Sequence, residues 1–191
     1  MLNRLAQQPL PPDMMMGVGD LYSQTGDYDD ALKVYQKVIQ QDPTQPRAHY
    51  YAGDTLIKLG RPDEAILQFE QEMKITPDDP NVQYHFAYAL LQTSRKDEAV
   101  ALLQNITAAH PDHAQAQYQL GKTLLDAGQY QQAIEHLEAA AKYDPNHDYV
   151  HYQLQAAYRK AGRTADADRE LEAYKQIKEQ QRDKGNPQPK Q

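Results

Sequence analysis

The chain has 191 residues and a formal net charge of −7, from 20 Lys and Arg against 27 Asp and Glu. This acidic balance argues against sequence-independent binding of nucleic acid, which rests on cations neutralising phosphates. The absence of Cys excludes disulfide frameworks, thiolate zinc sites and cysteine nucleophiles. The longest unbroken apolar run, Phe86 to Leu91, is far too short for a spanning helix, and MLNRLAQQPLPP carries no apolar stretch of the secretory kind. No direct membrane insertion is expected, and the compartment stays open.

A fixed period organises the sequence. Pro9, Pro43, Pro77, Pro111 and Pro145 stand 34 residues apart, and other residues keep the same step. Gly19, Gly53, Ala87 and Gly121 form one column of small side chains; Ala31, Ala65, Ala99, Ala133 and Ala167 form a second. Tyr35, Phe69, Leu103, Leu137 and Leu171 form a bulky column, and Gly26, Gly60, Ser94, Gly128 and Gly162 a helix-breaking one. Self-similarity at this interval marks a stack of supersecondary units.

In chain order, the alignment of MLNRLAQQP with residues 35–43 makes residues 1–11 a partial helix of a preceding repeat or an N-terminal segment. The chain then reads as part of a longer repeat protein, and its open edge beside Met14, Met15 and Met16 offers a route to self-association. Five units follow, at 12–45, 46–79, 80–113, 114–147 and 148–181. In each, apolar residues recur at helical spacing in two stretches, as in Ala52 and Leu56, then Ala65, Phe69 and Met73. The breaking column ends the first helix, acidic pairs such as Asp29-Asp30 and Asp63-Glu64 favour the positive end of the second, and the Pro sets up the next turn. The fifth unit lacks the terminal Pro, so its second helix runs from Thr164 to about Gln181 as a charged cap. Residues 182–191 read as a disordered polar tail.

These columns resemble the tetratricopeptide repeat. Unit four shows the pattern best, in Leu120-Gly121, Leu124, Ala133, Leu137 and Pro145, and unit one keeps Val18-Gly19, Tyr22, Ala31, Tyr35 and Pro43. The family's Trp is absent throughout, its place held by Met15, His49, Gln83, Gln117 and His151. Gln155 and Glu72 also stand where small or apolar residues belong. The resemblance implies an all-α, right-handed α-solenoid of five repeats with an extended C-terminal capping helix, first helices lining a concave groove.

No catalytic constellation is legible: Gly17-Val18-Gly19 lies inside a helix, and Ser23 and Ser94 have no His beside them. His110/His113 and His147/His151 have separations a metal could use, but both pairs read as turn and helix-start histidines, and no cofactor is expected. The first helices carry a tyrosine ladder at Tyr50, Tyr84, Tyr118 and Tyr152, able to face the groove and to pack between helices. Around it stand Arg47, Tyr51, Asp54, His85, Tyr88, Gln92, Gln119, Lys122 and Arg159 as candidate groove residues. Asp20 and Asp54 lie toward one end and Lys122, Arg159 and Lys160 toward the other, so a bound segment is expected to set its basic part on the first units. The carboxylate-clamp subtype needs Lys and Asn where this chain has Met16 and Asp20, then Tyr50 and Asp54, so an adaptor for acidic chaperone tails is not expected. The expected function is a non-catalytic scaffold binding a protein or peptide segment; a regulatory or targeting module of a larger protein is the alternative.

Overall fold

The computed structural model describes residues 10–185, so the expectation for residues 1–9 lies outside the described residues. These residues form α1 (Pro12–Thr25), α2 (Tyr28–Gln41), α3 (Ala48–Lys58), α4 (Pro62–Ile75), α5 (Pro80–Leu91), α6 (Lys96–Ala109), α7 (Ala114–Asp126), α8 (Tyr130–Tyr143), α9 (Asp148–Lys160) and α10 (Thr164–Gly185). No strand occurs among the described residues, and the fold is an all-α solenoid of stacked helix pairs. None of these helices is long and apolar enough to cross a membrane.

The chain divides into two compact units, residues 1–102 and 103–191. In the first, α1 packs on α2, α2 on α3, α3 on α4 and α4 on α5, with α3 also touching α5. Its core holds Val18, Tyr22, Ala31, Tyr35, Ala52, Leu56, Ala65 and Phe69. In the second, α7 packs on α8, α8 on α9 and α9 on α10, with α7 touching α9. Ile134, Leu137, Val150, Leu154, Tyr158 and Ala167 form a core there.

The small and bulky columns fit one another within a pair. A Cβ on Gly53 would lie 2.8 Å from ring carbons of Phe69, and one on Gly121 would lie 2.7 Å from Leu137 Cγ. Backbone and bulky side chain are therefore in direct contact. The breaking column behaves as expected at its four glycines, all with positive φ, such as Gly128 at 79°. Ser94 departs from it. Among the described residues Arg47 is the non-glycine residue with positive φ. The turn at Ser94 is instead closed by Thr93, whose hydroxyl donates to Leu90 O at 2.8 Å and accepts from Arg95 N at 3.3 Å.

The missing tryptophans are replaced by polar staples. Gln83 and Gln117 donate to the carbonyls of Pro77 and Pro111 at 2.7 and 3.0 Å. His49 and His151 reach the carbonyls of Pro43 and Pro145 at 3.3 and 3.1 Å. Three of the four also reach across to the second helix of the pair: His49 to Gln68 at 2.8 Å, Gln117 to His136 at 2.7 Å and His151 to Glu170 at 2.7 Å. A tryptophan would fill this space with apolar area; here hydrogen bonds tie the loop, the first helix and the second helix together.

At the N-terminal edge Met15 is buried, Met16 packs on the core and Met14 is 62% exposed. At the other end α10 continues through residues 182–185, correcting the expected start of a disordered tail at 182. Its last turns are spaced for ion pairs, with Arg182 lying 3.8 Å from Glu179. The rest of the expected tail lies outside the described residues.

Candidate functional site

In the first unit the loop before α3 turns through Arg47, whose φ is 67°. Its backbone N–H donates to Glu72 Oε1 at 2.8 Å, and Tyr50 N–H donates to Glu72 Oε2 at 3.2 Å. Glu72 has no exposed surface, and it belongs to α4. It therefore supplies the acceptors that the first turn of α3 lacks internally, and its negative charge sits at the positive helix end. This turn holds the Arg47 side chain over two rings, with its guanidinium carbon 5.1 Å from the Tyr50 centroid and 5.8 Å from that of Tyr51.

Tyr50 is half-buried rather than free. Its ring meets those of Tyr51, Phe69 and His85 edge-on at 5.3, 6.1 and 5.0 Å. Its hydroxyl lies 3.1 Å from His85 Nε2. Burial first, then the nearby Asp54 charge, push its pKa up to about 12, so it is a phenol and a donor at neutral pH. His85 Nδ1 faces Asp54 Oδ1 at 3.5 Å, and Asp54 Oδ2 pairs with Lys58 at 2.8 Å. His85 thus lies between the Tyr50 hydroxyl and Asp54, in an array Tyr50–His85–Asp54–Lys58. Tyr51 stacks on Tyr35 at 5.7 Å, whose hydroxyl donates to Asp20 at 2.7 Å. Tyr84 meets His85 at 5.2 Å and Tyr88 at 6.4 Å, which leaves Tyr84 and Tyr88 half-buried at the open side of the cluster. Gln92 stands apart, exposed at the C-cap of α5.

In the second unit Tyr118 of α7 meets Tyr149 of α9 edge-on at 4.6 Å. Burial raises the pKa of both phenols. Lys122 lies one turn along α7 from Tyr118, and the Gln119 carbonyl accepts from Thr123 at 2.8 Å. Tyr152 is 53% exposed and meets Tyr174 of α10 at 5.8 Å. Arg159 is exposed two turns further along α9. Sequence reasoning missed Tyr149 and Tyr174; they lie off the 34-residue ladder, and only the packing of α9 on its neighbours brings them to it.

The histidines have local tasks. His113 stands at the N-cap of α7 and accepts from Ala116 N–H at 3.3 Å. His147 Nδ1 lies 2.5 Å from Asp144. Both ring nitrogens of His151 face acceptors, the Pro145 carbonyl and the Glu170 carboxylate, an arrangement that favours the protonated ring. Its pKa is raised, chiefly by the hydrogen bond to Glu170. Among the described residues no group of three or more His, Asp or Glu is arranged to hold a metal ion.

Known proteins agree with this architecture. Tetratricopeptide-repeat families match residues 19–60, 46–79 and 124–183. The family of anaphase-promoting complex, cyclosome, subunit 3 matches residues 64–140. The chain belongs to the tetratricopeptide-repeat proteins, an interaction-scaffold fold. Among solved structures, a crystal structure of MamA protein superposes with a TM-score of 0.74 at 23% identity, covering 94% of this chain and 97% of that one. MamA from Desulfovibrio magneticus RS-1, residue 41 to the end, gives a TM-score of 0.77 at 21% identity over 89% and 96%. YrrB, described as a TPR protein with an unusual peptide-binding site, gives 0.66 at 21% identity over 85% and 84%. At these identities the likeness is one of fold. A search of curated proteins finds no match to the sequence.

Proposed function

We propose that this protein is a non-catalytic scaffold whose first helices bind a segment of a partner protein. The observation that carries the reading is the set of tyrosines held outside the cores: Tyr84 and Tyr88 in the first unit, Tyr118 and Tyr152 in the second. Their rings touch one another or neighbouring aromatics, so they are ordered before any partner arrives, which lowers the entropy cost of association. Tyrosines so placed combine apolar area with a polar tip, the composition of interface hot spots. The peptide-binding site of YrrB, on the same fold, supports the same use here.

The test is affinity capture from source-cell extract. The wild-type chain is compared with a Tyr84→Ala, Tyr88→Ala, Tyr152→Ala variant shown by circular dichroism to retain its helix content. Tyr50 is left intact because its packing on Phe69 makes it structural. A partner held by the wild type and lost by the variant supports the reading. Equal recovery by both moves the function away from the first helices.

A further inference from the structure

We propose that the first-helix face of the second unit docks an acidic protein segment. Its carboxylates would meet Lys122, Arg159 and Lys160, and its apolar side chains would rest on Tyr118 and Tyr152. The inference rests on the scaffold reading above and specifies the chemistry of the partner.

Each of the two helices carries its members on one side. Tyr118 and Lys122 lie one turn apart on α7, and Tyr152 and Arg159 lie two turns apart on α9. The two helices are joined at this face through the Tyr118 ring on Tyr149 at 4.6 Å.

Charge on this face is unbalanced in one direction. Many cations elsewhere in the unit have carboxylate partners: Arg163 and Arg169 share Asp166, Lys175 lies 3.6 Å from Glu172, and Lys178 lies 3.2 Å from Asp148. Lys122, Arg159 and Lys160 have no ion pair among the described residues. The acidic residues of α7 and α9 are Asp126 and Asp148, at the ends of the helices, and Asp148 is held by Lys178. In the first unit the pattern is reversed: Asp54 is matched by Lys58 and faces His85, and Asp20 accepts from Tyr35. The expected docking of a basic segment there therefore finds both carboxylates already engaged.

Three spaced cations beside two tyrosines complement a segment in which acidic and apolar residues alternate. A nucleic acid strand fits less well, because it carries continuous phosphate charge and no apolar side chains for the tyrosines, and the chain as a whole has a net charge of −7.

Fluorescence anisotropy on the full chain tests this with three fluorescein-labelled probes. One is a twelve-residue peptide alternating Glu or Asp with Leu or Phe; the second has Lys at every acidic position; the third is an oligothymidylate of matching charge. The acidic peptide is expected to bind best and to weaken with added salt. Lys122→Gln with Arg159→Gln should lower its affinity by roughly tenfold or more, and Lys122→Glu with Arg159→Glu by more still. Arg159 is exposed and Lys122 half-buried, and circular dichroism checks the folding of the variants. Equal or tighter binding of the basic peptide or the oligothymidylate, unchanged affinity in the charge variants, or no binding of the acidic peptide overturns the inference. A basic peptide that is lost on Tyr152→Ala yet indifferent to the charge variants overturns this inference alone. Unchanged partner capture by the tyrosine variant is what removes the scaffold reading beneath it.

Discussion

The carboxylate of Glu72 closes the first turn of the preceding helix through the backbone of Arg47, at 2.8 Å, from a site with no exposure to water. At the same place the other units have Val38, Ile106, Ala140 and Tyr174. Glu72→Ala should therefore cost about 2 kcal/mol, since it leaves the N–H groups of Arg47 and Tyr50 without their acceptor. The measurement is amide hydrogen exchange over residues 47–51, which should quicken while exchange in the compact half from residue 103 onward is unchanged. Glu72→Gln, which keeps an acceptor oxygen, should cost less. Equal protection in Glu72→Ile and wild type would show the cap to be dispensable.

His151 gives the C-terminal helix pair a pH dependence of known sign. Its folded pKa lies above the ordinary histidine value, chiefly because Glu170 accepts its hydrogen bond. The stability it contributes is fully present below the unfolded pKa of about 6.5 and is lost as pH rises through the folded value. Exchange protection in α9 and α10 should thus fall as pH rises from about 6.5 through the folded value. His151→Gln, the residue found at this place in the third and fourth units, should flatten that fall while retaining the bond to Pro145.

His136 should respond in the opposite sense. Burial is the main cause lowering its pKa, so the folded state favours the neutral ring. Its contribution is present above the unfolded value of about 6.5 and is lost as pH falls through the folded one. A single NMR titration of the imidazole Cε1 protons separates the two residues: His136 should titrate below model histidine and His151 above it. Coincident midpoints would contradict both assignments.

The contact between Gly53 and Phe69 predicts a loss from the mildest substitution. Alanine is the better helix former by about 1 kcal/mol, yet Gly53→Ala would set its Cβ 2.8 Å from a ring with no exposed surface. Overpacking of this kind costs about 1–3 kcal/mol. Urea unfolding should show a net destabilisation, partly recovered when Phe69→Leu is added. A more stable Gly53→Ala protein would mean that the ring can retreat.

The fold was legible because repeated backbone contacts demand repeated side-chain sizes. Gly53 needs to be small because Phe69 is large, and that pairing recurs along the chain as a column. Ser94 shows the limit of such reading: the column suggested a shared turn, whereas Thr93 closes that turn by a different set of hydrogen bonds. The Trp place could be seen to be empty of Trp, but not to hold a staple, because the partner of His49 lies on the facing helix. Candidate groove residues were recognisable by position. Their state was not: Tyr50 is wedged against Phe69, and Asp54 is matched by Lys58 and His85, whereas Lys122 and Arg159 have no ion-pair partner among the described residues. Charge pairing across helices has no fixed sequence spacing.

The staples redraw where one module stops and the next starts. His49 binds the carbonyl of Pro43 behind it and Gln68 ahead of it, and His151 does the same with Pro145 and Glu170. The mechanically closed segment thus opens at the proline, some three residues upstream of the sequence period's start at residues 46 and 148. Deleting or duplicating a repeat with junctions placed just before the prolines would carry each clasp across whole, whereas junctions inside the loop would separate its two halves.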